Sequence, residues 1–121
     1  MKALAAAMKT FASGFGLPAY AEGSIPDPVE LPYISYSLSE PEWSAKASAY
    51  LHIWYRSTSN TDLLTKADQV VAAIGEGLVL DINGGHVAIW PESPLVQLMV
   101  DGDFRSAYIN LSVNSYHMPG V

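Results

Sequence analysis

The chain has 121 residues, half of them hydrophobic and 15% charged, and it contains no cysteine. That is enough for one domain with a real core and too apolar for wholesale disorder. Twelve acidic residues against six basic ones leave a net charge of −6 and no run of Lys or Arg, which disfavours a duplex nucleic-acid binder. The lack of cysteine removes disulfides, thiolate nucleophiles and Cys-ligated zinc.

In chain order, the first element is an alanine-rich helix. At about 100° per residue, Leu4, Met8, Phe11 and Phe15 share one face, with Lys2 and Lys9 opposite them. Gly14, Gly16 and Pro18 stop it. Ala19-Tyr20-Ala21 is similar to a signal-peptide cleavage site, but Lys9 limits the apolar run to Ala3–Met8, so a docked helix is the better reading. No stretch approaches the roughly 18–20 apolar residues of a membrane span. Residues 17–32 hold Pro18, Pro26, Pro28 and Pro32 and read as an ordered arm or loop.

Tyr33–Leu38 alternates as a short strand. After a polar break at Ser39–Glu42, Ala45–Arg56 shows the clearest period of two in the chain. Its odd positions (Ala45, Ala47, Ala49, Leu51, Ile53, Tyr55) are largely apolar, and its even positions include Tyr50, His52 and Trp54. Ser57–Asn60 turns into a second helix with Thr61 as N-cap, whose buried stripe comprises Leu63, Leu64, Ala67, Val70, Val71 and Ile74, ending at Gly75 or Gly77.

Four strands follow. Leu78–Ile82 and His86–Trp90 flank an Asn83-Gly84 hairpin turn, and Pro91-Glu92-Ser93-Pro94 interrupts pairing. Leu95–Val100 and Phe104–Tyr116 flank an Asp101-Gly102-Asp103 turn. In the last strand Ala107, Ile109, Leu111 and Val113 face inward, while Tyr108, Asn110, Ser112, Asn114 and Tyr116 face outward. The predicted fold is a single α+β domain over 1–121, with element order αββαββββ and a mixed, mostly antiparallel sheet carrying two helices.

No catalytic, metal-binding or cofactor-binding constellation emerges. His52, His86 and His117 each stand alone, without the second ligand at i+2 or i+4 that a sequence-visible metal site needs. A nucleophile elbow is absent, Gly75-Glu76-Gly77 and Gly84-Gly85 read as a helix stop and a hairpin, and Asp101-Gly102-Asp103 lacks the other ligands of a calcium loop. Asn110-Leu111-Ser112 matches a glycosylation acceptor, but it falls inside a strand. What remains is a surface: Tyr50, His52 and Trp54 on one strand face, Tyr108 and Tyr116 on another, and Tyr20 in the arm. They are either covered by a second layer or form a protein–protein interface, where Tyr and Trp bury area and keep a hydrogen-bonding tip.

The layout also resembles a known family. It joins the N-terminal helix, a proline-rich stretch ending in Pro32-Tyr33-Ile34-Ser35-Tyr36, and the strand Tyr50-Leu51-His52-Ile53-Trp54-Tyr55. The helix Thr61–Gly77 and the closing Tyr108-Ile109-Asn110-Leu111-Ser112-Val113 complete it. Over about residues 3–117 this is similar to the tail terminator (tail completion, or minor tail) proteins of long-tailed, non-contractile phages and prophages. The resemblance implies an α+β subunit of a hexameric ring at the head-proximal end of the tail tube. Its partners would be copies of itself, the tail tube protein and the head connector, with no enzymatic activity, cofactor or membrane. It would be made in the host cytoplasm and reside in the virion. DNA would pass through the ring without specific binding, which suits an acidic chain. The alternatives are another neck component (a stopper or adaptor) or, from a different class, a secreted small α+β binding or inhibitor domain. A small hydrolase using one of the histidines is a third.

Overall fold

The computed structural model describes residues 2–39, 47–82 and 85–117. Among these residues two α-helices, α1 (Lys2–Ala12) and α2 (Thr61–Ile74), accompany six strands: β1 (Ala19–Ala21), β2 (Tyr33–Ser39), β3 (Ala47–Arg56), β4 (Leu78–Ile82), β5 (Gly85–Asp101) and β6 (Phe104–His117). The strands form one sheet in the order β1-β2-β3-β6-β5-β4. Only β1 and β2 run parallel; the other neighbours are antiparallel. This is the expected α+β architecture with a mixed, mostly antiparallel sheet.

The alternation in β3 has its expected consequence. Leu51 and Ile53 are fully buried and Ala49 nearly so, in register with Ile34 and Tyr36 of β2 and with Ala107, Ile109 and Leu111 of β6. Val87 and Ile89 extend this apolar face onto β5. Both helices dock on it. Met8 and Ala12 of α1 are completely buried, Phe11 and Phe15 pack beside them, and α1 touches β1, β2 and the opposite edge strand β4. Each buried Leu or Ile is worth about 1.5–3 kcal/mol, so this face is what makes the chain fold. The Leu4 side chain lies outside the described residues.

In α2 the buried line is Leu63, Ala67, Val70 and Ile74, at the four-, three- and four-residue steps of one helical face. Leu64, expected in that stripe, is 41% exposed because it sits about 100° round from Leu63. Thr61 is the first helical residue, not the cap: Asn60 holds the cap position, and Ser59 Oγ accepts from the Thr61 N–H at 3.2 Å. Gly75 ends the helix with φ at +54°, its N–H bonded to the Val71 carbonyl. Lys66 Nζ donates to the Phe15 carbonyl at 2.7 Å, tying α2 to the turn that closes α1.

Two elements differ from the sequence expectation, so the order is αβββαβββ. The arm is not all loop: Ala19–Ala21 pairs with Ile34–Tyr36, and the Pro18 carbonyl accepts from the Ile34 N–H at 2.8 Å. And 86–90 and 95–100 are one long strand. Between Pro91, opposite Leu111, and Val96, opposite Ile109, β5 bulges without ending. The bulge is pinned from β6, where Asn110 Nδ2 donates to the Pro94 carbonyl (2.6 Å) and the Gln97 side chain (3.2 Å), and Ser112 hydrogen-bonds Glu92. Of the two expected turns, Asn83-Gly84 lies outside the described residues, and Gly102 at φ +61° closes the Asp101–Phe104 pair. The first two residues assigned to the long strand, Ala45 and Lys46, also lie outside the described residues. Among the described residues no helix is long and apolar enough to cross a membrane.

Candidate interaction surface

Because side chains alternate across a strand, burying the odd positions of β3 turns its even positions to the sheet's other face. Register then assembles them with neighbours. His52 lies opposite Ser35 on β2 and Tyr108 on β6, Trp54 opposite Tyr33 and Ser106, and Tyr50 opposite Ser37 and Asn110. Tyr20 of β1 joins the same row beside Ser35. The result is a connected series of rings. Tyr20 meets Tyr33 at 6.0 Å between centroids, Tyr33 stacks on Trp54 at 6.0 Å, and Trp54 meets His52 at 3.9 Å. His52 stacks on Tyr108 at 3.7 Å, and Tyr108 meets Tyr50 edge-on at 5.1 Å. Trp54 Nε1 donates to Ser35 Oγ at 3.3 Å.

Five of the six residues singled out from the sequence (Tyr20, Tyr50, His52, Trp54 and Tyr108) therefore share this cluster. Tyr116 lies eight residues further along β6, opposite His86, and its side chain is outside the described residues. Tyr33 is the member that sequence reasoning did not single out. Its place on the outer side of β2 was readable, but its stacking on Trp54 depends on the β2–β3 register.

His52 is the unexpected case. A polar residue on the outer face is expected to be wet; instead it is 1% exposed, enclosed by Trp54 and Tyr108. Neither ring nitrogen has a hydrogen-bond partner among the described residues. Leaving buried polar atoms unpaired costs roughly 1–3 kcal/mol, and desolvation lowers the imidazole pKa from 6.5 to about 4, so it is neutral at pH 7. Burial also raises the Tyr33 and Tyr108 hydroxyls. The carboxylate of Glu22, in the turn just after β1, adds to both shifts, and Tyr50 adds to that of Tyr108.

No helix among the described residues packs on this face. Its coverage comes from the rings themselves, the β5 bulge over Asn110 and Ser112, and the Glu22 turn. At its lower end Trp54, Met99, Val100, Asp101, Phe104 and Ser106 line a depression of about 190 Å³. That is below the roughly 300–1,000 Å³ of small-molecule pockets and closer to the size of a single side chain. Beside it, Arg56 pairs with Asp103 at 2.9 Å and lies 5.4 Å over the Phe104 ring; the hydrogen bond holds the Asp103 carboxyl below its usual range. Apolar side chains continue along the β5–β6 hairpin, where Leu98, Met99 and Val100 are about half exposed.

The histidines do not converge. His86 and His117 sit at neighbouring register positions, while His52, level with Tyr108, is about eight strand residues, roughly 27 Å, away. Among the described residues no group of three or more His, Cys, Asp or Glu side chains is arranged to hold a metal. The chain matches no protein-family model, and no curated protein matches it.

Proposed function

We propose that this protein is a non-enzymatic structural subunit that acts by assembly, as a ring-forming tail terminator or completion protein at the head-proximal end of a phage tail tube. One observation supports an assembly role above the others. The two helices cover one sheet face, while the other presents a continuous series of six aromatic rings with no helix over it among the described residues. Amphipathic rings in such an array suit a protein partner, since they bury large area and order few rotatable bonds. The tail assignment itself is supported by the element order and strand patterns described from the sequence. In this reading the aromatic face meets the tube or connector, and copies of the chain meet one another side by side.

The test is light scattering over a concentration series, with electron microscopy of tails assembled with and without the protein. Rings, and tubes of uncontrolled length in its absence, are expected. A strict monomer at every concentration, together with tubes of normal length without it, contradicts the proposal. Labelling its position along the tail separates a terminator from a stopper or adaptor. Recovery from cells of chains cut after Ala21 would favour the secreted binding domain.

A further inference from the structure

We propose that neighbouring copies join edge to edge, the free half of β5 in one copy pairing antiparallel with β1 of the next. The inference rests on the self-assembly reading above and adds its interface; it does not depend on the tail assignment.

Strand β4 pairs with β5 only from Gly85 to Ile89. From Val96 to Asp101, β5 has β6 on one side and, among the described residues, no strand on the other. Natural edge strands are usually shielded by charge, proline or a bulge. Here the bulge and both prolines lie before Val96, and Val96–Val100 carries no charge, with Val96, Leu98, Met99 and Val100 all exposed. An unshielded apolar edge of this kind is a template for another strand.

A second copy is the occupant because the complementary edge lies on the same molecule at the same level. Following register across the sheet, Ala19, Ile34, Ile53, Ala107 and Leu98 form one row, and Tyr20, Ser35, His52, Tyr108 and Gln97 the next. Ala21, Tyr36, Leu51, Ile109 and Val96 form the third. Among the described residues β1 and this half of β5 each pair on one side only, so the sheet's two open edges end the same three rows. Direction agrees as well: β1 runs with β2, and three antiparallel steps separate β2 from β5, so β1 of an identically oriented neighbour runs antiparallel to β5.

The contact needs no inversion of the subunit. It is head-to-tail, the kind that closes into a ring when its rotation divides a full turn. Side chains fit too: with Tyr20 level with Gln97, the small Ala19 and Ala21 meet Leu98 and Val96 on the helix-bearing face. The aromatic row then continues from copy to copy. Within the three paired rows neither strand carries a charge, since Ala19, Tyr20 and Ala21 meet Leu98, Gln97 and Val96, so no two carboxylates oppose each other. Parallel pairing of β5 with another β5 would set Asp101 against Asp101.

The absence of native cysteine makes a clean test. Ala21→Cys protein is mixed with Val96→Cys, Leu98→Cys or Val100→Cys protein under mild oxidation, the three covering adjacent registers on one face. Ala19→Cys serves as the second variant should Ala21→Cys fold poorly. A cross-linked dimer with one of the three, absent from every single-variant sample, is expected. A chain carrying both cysteines should yield a ladder of multimers. Self-linking of Leu98→Cys alone, or equal linking to Val79→Cys on β4, overturns the proposal. Light scattering of the unsubstituted chain separates the two claims. Oligomers without these cross-links sink the edge assignment alone, whereas a monomer without cross-links sinks self-assembly as well.

Discussion

The two faces of the sheet solve opposite problems. On the helix-bearing face every β3 side chain from Ala49 to Ile53 is aliphatic and dry, and α1 and α2 close over it. On the other face the same strand offers Tyr50, His52 and Trp54, which shield one another, with no helix over them among the described residues. The first face offsets the entropy of folding, while the second is tolerated by the fold at the cost of a buried imidazole with no hydrogen-bond partner among the described residues. Stability should therefore reside mainly on one face and, in the proposed function, docking of the tube or connector on the other, with contact between copies at the sheet edges, and substitutions can separate them.

The largest effect is expected from the helix-bearing face. Leu51→Ala or Ile109→Ala should lose about 2–5 kcal/mol of stability in urea denaturation, since each side chain is fully buried among close-packed neighbours. A loss below 1 kcal/mol would mean that this face is not the core. Acid should act next, through His52. Its pKa is near 4 when folded and about 6.5 when unfolded, so the unfolded chain takes up the proton first. Stability is then unaffected by His52 above pH 6.5, falls as pH drops from 6.5 towards 4, and loses up to about 3 kcal/mol. His52→Phe should flatten that acid limb and leave stability at pH 7 equal or higher, since the two orphaned nitrogens go. An unchanged acid limb would mean that His52 is solvated.

A smaller loss is expected at the hairpin end. Arg105 donates to the Ser57 carbonyl, the Thr58 carbonyl and Asn60 Oδ1 at 3.0–3.2 Å, holding the turn that leads into α2. Arg105→Ala should cost about 1–3 kcal/mol by thermal unfolding, and Arg105→Lys should recover only part of it because a single ammonium cannot span all three acceptors. Smallest in stability, and sharpest for function, are Tyr50→Ser and Tyr108→Ser. Both rings are partly exposed, so each should shift the unfolding midpoint by only a few degrees. Pelleting with purified tail tubes should nevertheless fall at least about tenfold, the effect of losing about 1.4 kcal/mol of contact. Loss of folding and pelleting together would contradict the division between the faces.

The sequence made one half of this picture readable and hid the other. Period-two alternation placed Leu51 and Ile53 against Tyr50, His52 and Trp54, and helical spacing put Met8, Phe11, Leu63 and Val70 on the core, because those periods are local. Leu64 shows the limit, since neighbouring positions on a helix diverge by 100° and only packing decides which is covered. Strand β1 escaped because three residues between prolines carry no period; its pairing is supplied by Ile34–Tyr36. The continuity of β5 through Pro91–Pro94 escaped because its stabilisers, Asn110 and Ser112, are 16 and 20 residues away from the groups they bind. The enclosure of His52 depends on cross-strand register, which alternation does not specify.

The most direct test of the central claim, that this chain works by joining copies of itself, is the mass of the unsubstituted protein by light scattering from micromolar to millimolar concentration. The account predicts a mass rising above the 13.0 kDa of one chain towards a closed ring of several copies. A mass fixed at one chain across the whole range would contradict it.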